Sequence, residues 1–252
     1  MAVAALVSLG ALAVSLGTSP LASGDARVVQ RPRGVVVFGD SVPSGGACEC
    51  VPFGTLYGAK VAAHTGVRVT TTNLARGGFT SPDVQQELES AAARAALRTA
   101  TTVLIMVGAN DMGHAYWAAR SGAPAASTLG PAAREVRDDV VAAVRRIHQL
   151  APRDVRVAVL GYWNVFRDGK VGLATYGADG LALADTATAY TNRALLAAAE
   201  ETHSRYVPVA QVFKGPDGRR DPTPLLASDG DHPDARGHAL LAQAVYGALP
   251  AG

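Results

Sequence analysis

"VVVFGDSVPSGG", residues 35–46, runs four apolar residues into a small, polar, glycine-bounded turn. An apolar run without polar alternation reads as a strand covered on both faces, as in a parallel sheet between helices. The run ends on Gly39, Asp40 and Ser41, with little side-chain bulk after them. Ser41 either caps the helix that follows or presents a hydroxyl clear of a buried strand end. The other strand ends discriminate between these readings.

Four further runs have the same β-rich character: "VRVTTTNL" (67–74), "TTVLIMVG" (101–108), "VRVAVLGYW" (155–163) and "SRYVPVA" (204–210). Helical patterns separate them. Ser81 with Pro82 opens one that carries Val84, Leu88, Ala91 and Ala95 on a stripe. Pro131 opens another with Val136, Val140, Ala143, Val144 and Ile147 at the same spacing. Further helices fit near 53–65, 184–203 and 234–248. Strand–helix alternation of this kind implies an α/β fold with a parallel sheet between helical layers. In such sheets ligands bind beyond the carboxyl ends of the strands, so the residues just after each strand carry the function.

Composition narrows the classes. The chain has 252 residues, 48% hydrophobic and 17% charged, with a formal net charge of +2. That supports a real core in one sizeable domain, argues against disorder, and gives no basic field of the kind nucleic acid requires. No charge occurs from Met1 to Gly24, and small residues follow in "TSPLASGDA". This reads as a secretory signal peptide over residues 1–26, preceding a single domain over 27–252, and implies an extracellular protein. One feature disagrees, the absence of Lys or Arg before the apolar stretch, which a start codon assigned too late or an uncleaved anchor would explain; an uncleaved segment is the only expected route to a membrane. Cys48 and Cys50 are the only cysteines. Two cysteines cannot complete a four-ligand zinc site, and in an exported protein a disulfide is the expected state.

The strand ends share a chemistry. After the first strand stands Gly39-Asp40-Ser41, after the second Asn73-Leu74-Ala75-Arg76-Gly77-Gly78, and after the third Gly108-Ala109-Asn110-Asp111. After the fifth comes "SDGDHPDARGH", with Asp229 three residues ahead of His232. A hydroxyl, a glycine amide, a carboxamide and an Asp-His pair at one rim are the parts for acyl transfer. A phosphate loop would need a Lys after its last glycine, a dinucleotide fingerprint G-x-G-x-x-G, and a nucleophile elbow Gly where Pro43 stands; none is present.

On these blocks the sequence resembles the SGNH/GDSL hydrolase family: "FGDS" its serine block, "NLARGG" its glycine block, "VGAND" its asparagine block, and "DGDH" the closing D-x-x-H. The four stand in family order from Phe38 to His232. The resemblance implies a three-layer α/β/α flavodoxin-like fold with a five-stranded parallel sheet and a cofactor-free, metal-free serine esterase or lipase. It makes Ser41 the nucleophile and, through its own amide, an oxyanion donor. Gly78 is the second donor, with Gly77 its rival, and Asn110 the third. His232 is the base and Asp229 its orienting carboxylate. Val42 replaces the leucine common after the serine block, and Arg76-Gly77 fills a stretch that is often smaller.

Several residues have structural readings. Asp40 is expected to hold its turn by local hydrogen bonds. Asp229, Asp231, Asp234, His232 and His238 lack a recognised metal-ligand spacing. His64, His114, His148 and His203 read as surface or packing residues. Two long segments, 112–130 with Tyr116 and Trp117 and 162–180 with Trp163 and Phe166, either wall a substrate pocket or pack onto the sheet. The expected partner is a small-molecule, lipid or carbohydrate ester, taken by a monomer. A carbohydrate O-acetylesterase and a catalytically idle polysaccharide- or lipid-binding module are the rival readings.

Overall fold

Strand β1 (Arg33–Gly39) is an inner strand of the sheet, with Val35 to Phe38 all buried. It pairs on one side with β2 (Val69–Asn73) and on the other with β3 (Ala100–Met106); β4 (Arg156–Leu160) and β5 (Arg205–Val207) complete the sheet. All pairings are parallel and the order is β2-β1-β3-β4-β5, the flavodoxin-like arrangement. The structure is a computed structural model describing residues 1–2 and 33–251; the expected signal peptide lies outside the described residues, apart from its first two. The described residues from Arg33 onward belong to one compact unit.

All five strands expected from the sequence form; β1, β3 and β4 are apolar runs buried on both faces, whereas the edge strands β2 (VTTTN) and β5 (RYV) are only partly buried. Helices α2 (Phe53–Thr65), α8 (Ala210–Lys214) and α9 (Ala235–Ala248) pack together on one side. The other side is built from α3 (Ser81–Leu88), α4 (Ala91–Leu97), α5 (Gly113–Arg120), α6 (Ala125–Leu150) and α7 (Gly169–Glu201). One short helix, α1 (Ser41–Ser44), follows β1 directly.

Three expectations about helices change. The stripe drawn through Val84, Leu88, Ala91 and Ala95 is broken, because Ser90 caps a new helix by accepting from the Ala93 amide (3.0 Å). Ala93 and Leu97, rather than Ala91 and Ala95, are therefore buried. Helix α6 starts six residues before Pro131, which sits inside it; the buried stripe from Val136 to Ile147 is as expected. Helix α7 runs from residue 169, earlier than the expected 184, and is interrupted at Gly177 (φ 69°).

Register aligns the functional ends. Val37 lies opposite Asn73 and Gly39 opposite Met106, so the loops after β1, β2 and β3 leave one edge of the sheet together. Gly39 is required there. Its φ is +144°, and a Cβ would stand 1.9 Å from the Met106 carbonyl oxygen.

Candidate active site

The turn after β1 is built on a buried carboxylate. Asp40 is the N-cap of α1 and accepts from the Val42 amide (3.0 Å), the local bonding expected of it from sequence. Its other oxygen accepts from the Tyr162 hydroxyl. Burial pushes the Asp40 carboxyl up to about 7, outweighing these two donors. Ser41 is the first residue of α1, half-buried, with its amide in the first turn where a helix offers no internal partner. Its hydroxyl makes no hydrogen bond to His232 in this structure. In ligand-free enzymes the nucleophile–base contact is often loose and tightens in the substrate complex.

The glycine-bearing loop is tied to this turn from both sides. Asn73 donates its side-chain amide to the Pro43 carbonyl (2.8 Å) and accepts from the Ala75 amide (3.1 Å). The Arg76 amide reaches the Gly39 carbonyl (3.0 Å), and the Phe79 amide closes a turn onto Arg76 (3.2 Å). Gly78 holds φ +83° at the exposed tip, a conformation that favours glycine. Gly77 passes closer to the nucleophile, since a Cβ on it would lie 3.9 Å from that of Ser41. The Arg76 side chain turns away, over the Phe79 ring (5.5 Å) and onto Glu87 (3.2 Å).

Asn110 lies at the rim, exposed, and its side-chain nitrogen donates to the Phe79 carbonyl (2.8 Å). A carboxamide nitrogen has two protons, so one anchors Asn110 beside Gly78 and the second is left for an incoming oxygen. Beneath it, Ser81 joins the same two loops. Its amide and hydroxyl donate to Asp111 (3.0 and 2.6 Å), and the hydroxyl also stands 2.9 Å from Asp139, which Gln85 holds at 2.6 Å. Burial pushes the Asp111 carboxyl up.

Asp229 and His232 form a local pair. His232 Nδ1 is 2.7 Å from Asp229 Oδ2, while Asp229 Oδ1 accepts from the amides of Asp231 (2.9 Å) and His232 (3.1 Å). Burial acts to raise the Asp229 carboxyl, but these amides and the imidazole outweigh it and hold it below the usual carboxylate range. The loop is closed by Ala227 donating to the His232 carbonyl (2.8 Å) and pinned where the Asp168 amide meets Gly230 (2.7 Å).

The other acidic-loop residues go elsewhere. Asp234 caps α9 through the Gly237 amide (2.8 Å), and burial raises the Asp231 carboxyl. His238 is buried, accepts from the Phe53 amide (3.3 Å), and is pushed down to about 4 by that burial. Among the described residues the only His/Cys/Asp/Glu group with converging ligand atoms is Cys48, Cys50 and His238. There the two sulfurs are bonded to each other and the imidazole already serves the Phe53 amide. Of the aromatics, Tyr116 and Trp163 are buried, Trp163 stacking on Phe213 (4.0 Å), whereas Trp117 is exposed. Sequence reasoning missed Tyr162, Ser81 and Asp139 as parts of the site, and a lone Tyr, Ser or Asp carries no local signal that would have found them.

The five-stranded parallel sheet carries Ser41, the glycine-bearing loop and Asn110 on the segments after β1, β2 and β3, with the Asp229–His232 pair on the loop before α9, an α/β architecture. Residues 37–240 match the GDSL-like lipase/acylhydrolase family, and the chain belongs to that family. No curated protein matches it. Among solved structures it is similar to a lipase from a goat rumen metagenome (16% identity, TM-score 0.70, covering 86% of this chain and 97% of that one). It is also similar to the extracellular lipase of Streptomyces rimosus (19%, 0.64, 86% and 100%) and an acetylxylan esterase of Geobacillus stearothermophilus (19%, 0.63, 86% and 94%). At these identities the likeness is one of fold.

Proposed function

We propose that this protein is a secreted carboxylic ester hydrolase in which Ser41 is acylated and released by water. The observation that carries the reading is the Asp229–His232 pair, 2.7 Å apart, on a loop that Gly230 ties to Asp168 in the segment after β4, while Ser41, Gly78 and Asn110 stand on the segments after β1, β2 and β3. Asp229 fixes the imidazole with Nδ1 toward the carboxylate, leaving Nε2 to take the Ser41 proton. Ser41 attacks the ester carbonyl, and its oxygen becomes an anion held by the amides of Ser41 and Gly78 and the free N–H of Asn110. His232 then protonates the leaving alcohol, and water repeats the cycle on the acyl-enzyme. No step calls for a metal or cofactor. The fold-level neighbours include both lipases and an acetylxylan esterase, so acyl chain length is the first property to measure.

Rates on p-nitrophenyl esters from acetate to palmitate test the reading, together with an organophosphate and EDTA. The expected result is ester turnover that survives EDTA and is lost with one adduct on Ser41. A protein that cleaves no ester of the series and takes no adduct would be a binding module instead.

A further inference from the structure

Tyr162 lies just past β4 and is wholly buried, yet it ends in a polar hydroxyl that a packing role does not need. Its backbone is clamped at both ends by one carboxamide: the Tyr162 amide donates to Asn192 Oδ1 (2.8 Å), and Asn192 Nδ2 donates to the Tyr162 carbonyl (2.8 Å). Gly161 makes room for this, since a Cβ there would lie 2.8 Å from Asn192 Oδ1. The ring is therefore fixed before its hydroxyl meets anything.

That hydroxyl donates to Asp40, which precedes Ser41 and caps the helix that Ser41 begins by accepting from the Val42 amide. We infer that Tyr162 is a positioning residue whose phenol ties the Ser41 turn to the segment after β4, itself clamped on Asn192 of α7, and so sets where the Ser41 hydroxyl and amide stand relative to the other proposed oxyanion donors. The inference rests on the serine-hydrolase reading above. It goes beyond that reading because Tyr162 belongs to none of the four sequence blocks. Donors aimed at a developing charge act through their geometry, and an error of an ångström in such a site costs about 100-fold.

Tyr162→Phe deletes only the oxygen and fills the same volume. The expected result is a folded protein with kcat lowered about 10- to 100-fold and KM changed less than about two-fold, because the oxyanion is absent from the ground state. Phosphorylation of Ser41 by an organophosphate should slow by a similar factor. Asp40→Asn keeps the Val42 cap and offers the phenol oxygen an N–H in place of the carboxylate it donates to, so the hydrogen bond is reversed rather than lost and kcat should fall by less than in Tyr162→Phe. The double variant should lose no more than the worse single one, since both act on one hydrogen bond. A kcat within two-fold of wild type in Tyr162→Phe, a loss confined to KM, or additive losses in the double variant would overturn the inference. If wild-type protein neither turns over esters nor takes the adduct, the hydrolase reading fails by itself. Amide hydrogen exchange then decides the tie: faster exchange at Val42, whose amide Asp40 caps, in Tyr162→Phe supports it, and unchanged exchange refutes it.

Discussion

A carboxyl held at 0% exposure next to Ser41 makes the stability of this protein depend on pH with an unusual sign. Burial raises Asp40 from 3.8 to about 7. Below pH 3.8 the side chain is protonated in both native and unfolded chains. Between 3.8 and 7 the unfolded chain ionises while the native protein keeps its proton, so the native state is progressively disfavoured as pH rises. Above 7 both are ionised and the loss is complete. At about 1.36 kcal/mol per pH unit the whole effect is roughly 4 kcal/mol, of which about 3 falls between pH 5 and pH 9. Asp40→Asn removes the titration but keeps an oxygen for the Val42 amide. Asp111, His232 and Tyr162, which interact with Asp40, remain in both proteins, so that only their coupling to its charge differs in the comparison. Urea unfolding at pH 5, 7 and 9 should show the stability of wild type relative to Asp40→Asn falling by about 3 kcal/mol across the range. The steepest part should lie below pH 7. A difference constant to within about 0.5 kcal/mol would mean that Asp40 ionises as freely in the native protein as in the unfolded chain, and the buried-acid account would be wrong.

Three further outcomes are expected. Asn110→Ala should lower kcat by about 10²–10³ with KM nearly unchanged, and Asn110→Asp should be at least as damaging; steady-state kinetics on the best p-nitrophenyl ester reads both. Lys214→Ala should cost about 3–5 kcal/mol in chemical denaturation, because it strands the buried Asp168 carboxylate that Lys214 meets at 2.8 Å. Thiol titration of exported protein, denatured without reductant, should find no free thiol if Cys48 and Cys50 are bridged after export; two thiols would show that the pair stays reduced there.

The inner strands were legible in the linear order of residues because a strand buried on both faces needs an uninterrupted apolar run, and "VVVF" and "VLIMV" are such runs; the half-buried edge strands β2 and β5 showed instead through their β-branched and aromatic residues. The Asp229–His232 pair was legible as well, its members being three residues apart in one turn. Helix ends were read less well. Ser90 could be seen as a cap only once Ala93 and Leu97 were known to face the core, and the start of α6 depended on packing that overrode the signal at Pro131. What lay wholly beyond the sequence is the scaffolding that joins the blocks. Asn110 reaches Phe79 across 31 residues, Ser81 reaches Asp139 across 58, and Tyr162 reaches Asp40 across 122. Single polar residues at such separations leave no periodicity and no spacing to read. Only the parallel register, which sets Gly39 beside Met106 and brings the strand ends to one edge, makes them neighbours, and only burial there turns an ordinary Asp and Tyr into a coupled pair.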